Sequence, residues 1–291
     1  MRYCLCIIFG LATASLLAIG DKASAEQTEQ TETPLKVITF MDFPPFIVDT
    51  EPDNGIISAI VKESFAAAGI EIETPLVPWR RAHRAVMRGK YLASYSWAYS
   101  DERAENFHLS VPIFAISNQI ITTYKDLTDW RQFKEPRADG VLPILCVPIG
   151  WKITPEITEL IKNNMLQKVS PGHPRFCIDL VRANRTNILY MPRITVAYHL
   201  AALRAEDSDP GVRPWPKLYS LDIPSGQFNT QHILFTRNGL GLVYKEKFDA
   251  GFKKLQESGR YKELLDDHLS SYTPANRDAV YQDQKNAAIL P

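Results

Sequence analysis

The sequence predicts an α/β protein in which one strand and helix pattern is laid down twice. Three observations carry this. Strand-like and helix-like runs alternate in units of about 30 residues from the first strand onward. A second such set begins after a polar, Pro- and Gly-containing segment at 129–140. About 265 residues remain once an amino-terminal leader is set aside, enough for two compact lobes with separate cores.

Residues 1–25 have the three parts of an export signal: Arg2, an apolar core from Cys4 to Gly20, and Ala23-Ser24-Ala25 as a cleavage site. The mature, exported chain is then expected to begin at Glu26. The apolar core is too short and too early for a span, and no later stretch approaches the roughly 20 apolar residues that cross a bilayer. A soluble product is expected. Cys4 and Cys6 leave with the signal, and neither sits in a lipobox. Residues 26–34 are polar and read as a flexible leader.

The first strand lies in Lys36–Phe46, KVITFMDFPPF. Its apolar run of Val37, Ile38 and Phe40 ends in Asp42, Phe43, Pro44, Pro45 and Phe46. Proline supplies no backbone N–H and fixes φ, so the strand stops there and hands over to a stiff loop. Such a loop at the carboxyl end of a strand is where α/β proteins hold small ligands; a packed core loop is the alternative reading.

After the Asp53-Asn54-Gly55 turn, Ile56, Ile57, Ile60, Val61, Phe65 and Ala68 recur at helical spacing up to Gly69. Residues 71–77 alternate as a strand. Residues 79–88 form a basic helix stopped by Gly89, with Arg80, Arg84 and Arg88 on one face. Strands are predicted at 92–95 and 120–124, the latter leaving the first unit. In the second set, 142–147 and 187–190 are strands and 155–163, 176–182 and 194–204 are helices. Residues 205–216 read as loop, 232–236 as a strand, and 242–255 and 261–269 as helices.

Lysine plus arginine and aspartate plus glutamate are equal at 33 each. No global field therefore points to nucleic acid or an anionic membrane. Cys146 and Cys177 are an even pair for an oxidising compartment, which favours one disulfide over two separately buried thiols. Their wide spacing argues against a zinc or redox site. Closing a loop of about 30 residues stabilises a fold by roughly 3 to 4 kcal/mol in the chain-entropy account.

Taken in order, these segments resemble bacterial extracellular solute-binding proteins of family 3, the receptors of polar amino-acid ABC importers. The resemblance rests on KVITFMDFPPF with Asn54-Gly55, on Pro78-Trp79-Arg80-Arg81, and on Tyr99-Ser100-Asp101-Glu102-Arg103, similar to "T-x-x-R". Leu109-Ser110-Val111-Pro112-Ile113-Phe114 is similar to "F-S-x-P-Y". The run Phe252 to Tyr261 follows "F-x-x-x-L-x-x-x-G-x-Y". The resemblance implies a type II periplasmic-binding-protein fold, two α/β lobes joined by two hinge strands. Lobe 1 would be 35–123 plus 230–269, lobe 2 the inserted 126–223, and 270–291 a tail. A small solute would bind between the lobes, which close about the hinge.

By motif position, the lobe 1 wall is expected to use Asp42, Phe43, Trp79, Tyr95, Ser96, Trp97 and Gln119. Tyr95 and Trp97 are read as lying on alternate faces of their strand, so that only one set faces the cleft. Gln119 falls about where amino-acid receptors of the family place the arginine that clamps the ligand carboxylate, and a neutral amide lacks that paired, charged contact. In lobe 2 an acid for the ligand's amino group is expected after 187–190, where Met191-Pro192-Arg193 stands instead. Trp151, Lys152 and Arg193 become candidate contacts, with the Gly150-Trp151-Lys152 loop favouring an anion at a helix N-terminus.

These readings predict capture of a small polar solute other than a standard zwitterionic amino acid, by a monomer without cofactors, for an ABC-importer permease at the inner membrane. The alternatives are a cyclohexadienyl-dehydratase-like lyase on the same scaffold and a freestanding sensory module. The lyase would need a general acid, for which Asp42 is the lobe 1 candidate. The six histidines are scattered, and no Ser/His/Asp or H-E-x-x-H arrangement is visible.

Overall fold

Strand β1 (Leu35–Phe40) lies parallel to β2 (Ile72–Glu73), β3 (Leu76–Val77) and β4 (Ala93–Ala98) in the computed structural model, which describes residues 34–41, 43–50, 52–206, 215–221 and 228–290. Asp42, the export signal and the residues of the leader before Pro34 lie outside the described residues. Strands β5 (Phe107–Leu109) and β6 (Phe114–Ser117) pair antiparallel with a long return strand, β12 (Phe228–Thr236), which also pairs with β4. The resulting sheet therefore takes strands from both sides of an inserted second sheet.

That second sheet has the order β11-β7-β10-β8-β9. Its strands are β7 (Gln119–Thr122), β8 (Ile144–Cys146), β9 (Gln167–Val169), β10 (Ile188–Met191) and β11 (Tyr219–Leu221). The parallel trio β9, β8 and β10 is built through α4 (Pro155–Lys162) and α5 (Pro174–Arg182), while β7 runs antiparallel to both β10 and β11. Helix α6 (Arg193–Glu206) follows β10.

Around the first sheet stand α1 (Ile56–Ala67), α2 (Trp79–Met87), α3 (Asp101–Asn106), α7 (Gly239–Glu257), α8 (Arg260–Leu269) and α9 (Pro274–Asn286). On one face Val37, Phe46, Ile57, Phe65, Phe248 and Tyr261 form the largest apolar cluster. On the other, Ile38, Ala82, Val86, Trp97 and Leu234 close beneath α2. The second sheet likewise buries an apolar cluster on each face. Its β8 is tied to α5 by a disulfide between Cys146 and Cys177, with Cα atoms 5.6 Å apart and both residues buried. Among the described residues no helix is long and apolar enough to cross a membrane.

Several elements differ from the sequence reading, four of them near the site or the crossover. The strand expected over 71–77 is two short pieces, because Pro75 has no N–H to donate to the ladder; its carbonyl instead accepts from Thr39 N at 3.1 Å. Strand β4 continues to Ala98, three residues beyond the expected end. Residues 119–122, expected to leave the first lobe, already pair in the second sheet, so the first crossover falls at Asn118 rather than after Thr123. The expected tail contains α9, started by Pro274 and seated on β6 through buried Val280 and Gln284.

Candidate functional site

The carboxyl ends of β1 and β4, the first turn of α2, α3 and the loop after β8 converge on a cavity of about 480 Å3. The loop after β1 is locked from beneath. Phe46 is buried, and Gly55, at φ +91°, comes so close that a Cβ there would stand 2.8 Å from the Phe46 carbonyl oxygen. Only glycine fits that approach, which fixes the loop against the start of α1.

Aromatic rings supply much of the wall. Phe43 meets Trp151 of the second lobe edge-on, with ring centroids 5.3 Å apart. Trp79 tilts over Trp97 at 5.7 Å, and Phe40 closes on Trp97 at 5.6 Å. His83 packs on another side of Trp97 at 5.3 Å, and burial pushes its pKa down. Trp97 Nε1 donates to Ser94 Oγ at 2.8 Å, so its ring orientation is fixed.

Tyr95 and Trp97 do face opposite ways, but not because strands alternate: residues two apart on a regular strand share a face. Tyr95 and Ser96 together oppose the single residue Ile233 of β12, a bulge marked by the register shift between His232 and Leu234. Ser96 takes φ +66° within it. The bulge sends Tyr95 into the core, where its hydroxyl donates to Ser58 Oγ at 2.8 Å. It also brings Ser96 to the cavity, 2% exposed and with an Oγ that has no hydrogen-bond partner.

Among the described residues three cations line the cavity: Arg80, Arg103 and Lys152. Arg103 extends from α3, donates through Nη1 to the Ala98 carbonyl, and lies with its guanidinium carbon 5.2 Å from the Trp97 ring centre. Burial lowers its pKa. Lys152 Nζ reaches the Tyr99 carbonyl of the first lobe at 3.4 Å; desolvation and then the nearby positive charge of Arg103 lower its pKa, partly offset by Glu102 and Asp101. Among the described residues lining the cavity there is no Asp or Glu.

Of the residues expected at the site, Phe43, Trp79, Ser96, Trp97, Trp151 and Lys152 meet there. Tyr95 does not, being core. Gln119 stands at the start of β7 opposite Met191 and is not among the lining residues, with a buried Oε1 that has no partner among the described residues. Arg193 is the exposed first residue of α6 and does not line the cavity either. Asp42 lies outside the described residues. The reading missed Arg103, Arg80, Asn118 and Gln231. For Arg103 the signal was present, since it is the arginine of the Tyr99 to Arg103 segment.

Two α/β lobes with a ring-lined, cationic cavity between them define the class: a two-lobed binding protein of the type II periplasmic kind. The sequence pattern of bacterial extracellular solute-binding proteins, family 3, matches residues 35–271, and the chain belongs to that family. Solute capture for an ABC importer, rather than catalysis, is the family's general function. No curated protein sequence matches the chain.

Solved structures share the fold at low identity. One, from the basis of glutathione import via GshT and the cystine importer TcyBC of Streptococcus mutans, has TM-score 0.64 and 17% identity, over 84% of this chain and 100% of that one. An ancestral arginine-binding protein bound to arginine has TM-score 0.62 and 16% identity, over 81% and 98%. The arginine-, lysine-, histidine-binding protein ArtJ of Geobacillus stearothermophilus has 0.61 and 15%, over 84% and 99%. Among the described residues no group of three His, Cys, Asp or Glu side chains is placed to hold a metal ion.

Proposed function

We propose that the protein, exported through a cleaved signal and acting as a periplasmic monomer, captures a small organic anion with a flat apolar body between its lobes and delivers it to an ABC-importer permease. The observation that carries this reading is the composition of the cavity wall, three cations with no carboxylate among its described residues. Arg103 and Lys152 repel each other across the cleft, and an anion between them relieves that repulsion. Charge-assisted bonds to a carboxylate are worth about 1.5 to 3 kcal/mol each. Trp79, Trp97 and Trp151 offer ring faces, which favour a planar body.

A standard zwitterionic amino acid is disfavoured on new grounds. The reading does not rest on Gln119 and Arg193, which are not among the lining residues, and Arg103 is available for a carboxylate. What the described wall lacks is a carboxylate to pair with an ammonium group. The test is a thermal-shift and calorimetric panel on the mature protein: aromatic and aliphatic mono- and dicarboxylates, the matching amines, and the L-amino acids. Stabilisation by anions and not by amines is expected. Stabilisation by ordinary L-amino acids with no response to amine-free carboxylates overturns the reading.

A further inference from the structure

We propose that Asp283 of α9 is a positioning residue for lobe closure: by holding Ser117, the last residue of β6, it fixes the crossover into the second lobe. Among the described residues strand β6 pairs with β12 along one edge only. Its other edge is completed by side chains of α9. Ala115 N donates to Gln284 Oε1 at 2.9 Å, and Gln284 Nε2 donates back to the Ala115 carbonyl at 2.8 Å. Two positions along, Ser117 N donates to Asp283 Oδ2 at 2.8 Å and Ser117 Oγ to Oδ1 at 2.5 Å. A helix thus occupies the place of a neighbouring strand and satisfies backbone groups that would otherwise be orphaned.

The position of these bonds gives them a consequence beyond packing. Asn118, next in the chain, lines the cavity, and Gln119 already opens β7 in the second sheet. Few torsions are therefore available there for one lobe to swing on the other, and Asp283 restrains the first of them. Gln284 is itself anchored, fully buried and accepting from the Tyr261 hydroxyl at 3.1 Å. Burial raises the Asp283 pKa, while its two bonds to Ser117 oppose the rise, so among the described residues it is Ser117 that holds this carboxylate in a costly place. The family match ends at residue 271, before α9 begins, so the clasp is built from chain outside the family pattern.

The crossover so held is one in which the lobes touch. Thr195 Oγ1 donates to the Pro44 carbonyl at 2.8 Å, Lys152 reaches Tyr99, and Phe43 meets Trp151. With Ser117 released, the crossover gains more freedom when the lobes are apart than when these contacts still hold them together, and that difference shifts the population toward separated lobes. The test needs no solute. Spin labels at Lys90→Cys and Lys168→Cys, one exposed position in each lobe, report the interlobe distance by pulsed electron resonance. Asp283→Ala is expected to raise the ratio of long to short distances by roughly threefold or more. Val280→Ala, which loosens α9 without touching the clasp, is expected to lower Tm and leave that ratio unchanged. Superposed distributions for wild type and a folded Asp283→Ala, or an equal shift in Val280→Ala, overturn the proposal. Should Asp283→Ala fail to fold, Ser117→Ala, which removes the hydroxyl bond and keeps the backbone one, takes its place: a smaller shift in the same direction is expected, and superposed distributions overturn the proposal.

Discussion

Gly150 of the second lobe lays its backbone against the indole of Trp79 in the first: a methyl group on its α-carbon would stand 3.5 Å from two ring carbons. Trp79 is 39% exposed, so its ring serves the cleft more than the core. Trp79→Ala is therefore expected to weaken binding of a ring-bearing anion by about tenfold or more while changing Tm little. Gly150→Ala leaves ordinary contact to the ring but forces a side chain into φ +83°, at a cost of about 1 to 2 kcal/mol. Calorimetry and thermal melts separate the two. Unchanged affinity in Trp79→Ala would rule out the indole as a ligand platform.

Arg103 and Lys152 predict a pH dependence of binding. Lys152 sits below its usual pKa through desolvation and the charge of Arg103. A bound anion favours the ammonium form and draws the pKa back up. Binding thus takes up protons in the range between those two values. Affinity is expected to be highest where free Lys152 is already charged and to fall as pH rises through its lowered pKa toward 10.5. Lys152→Arg should flatten this limb. Arg103→Gln should weaken carboxylate binding by about 10- to 100-fold at every pH, from the loss of one or two charged bonds. Affinities of the anion found in the panel, measured from pH 7 to 10, check both.

The disulfide gives a third expectation. It closes a separation of 31 residues between β8 and α5. Cys146→Ala/Cys177→Ala is expected to lose about 3 to 4 kcal/mol of unfolding free energy. Urea titrations of the two proteins measure it. A difference below about 1 kcal/mol would show that the second lobe's stability does not rest on loop closure.

The strands and helices with strong periodicity were legible because local pattern decides them. Ile56, Ile57, Ile60 and Phe65 recur on one face, and Gly69 and Gly89 stop their helices at positive φ. The crossover was misplaced because Ile120, Ile121 and Thr122 read as strand without saying which sheet they join; pairing with β10 and β11 is a long-range choice. Helix α9 escaped because only Asn276, Val280 and Gln284 are buried in it, two of them polar. The cavity was half legible. Aromatic residues announce a site by type, whereas Arg103 reaches the cavity through its contacts with the Ala98 carbonyl and the Trp97 ring.

His199 predicts how the fold responds to acid. It is 4% exposed in α6, its Nε2 lacks a hydrogen-bond partner, and its ring lies 5.9 Å from that of His173. Burial, then the charges of His173 and Arg175, lower its pKa to about 4 from 6.5. The fold therefore holds the imidazole neutral, and the unfolded chain binds the extra proton between those values. Stability from this residue is complete above pH 6.5 and is lost as pH falls toward about 4, amounting to roughly 3 kcal/mol over the window. His199→Leu removes the titration and leaves no orphaned acceptor at Nε2. Its Tm is expected to track wild type at pH 7.5 and to exceed it at pH 4.5. If the two melting curves stay parallel from pH 7.5 to 4.5, the acid sensitivity belongs to other groups.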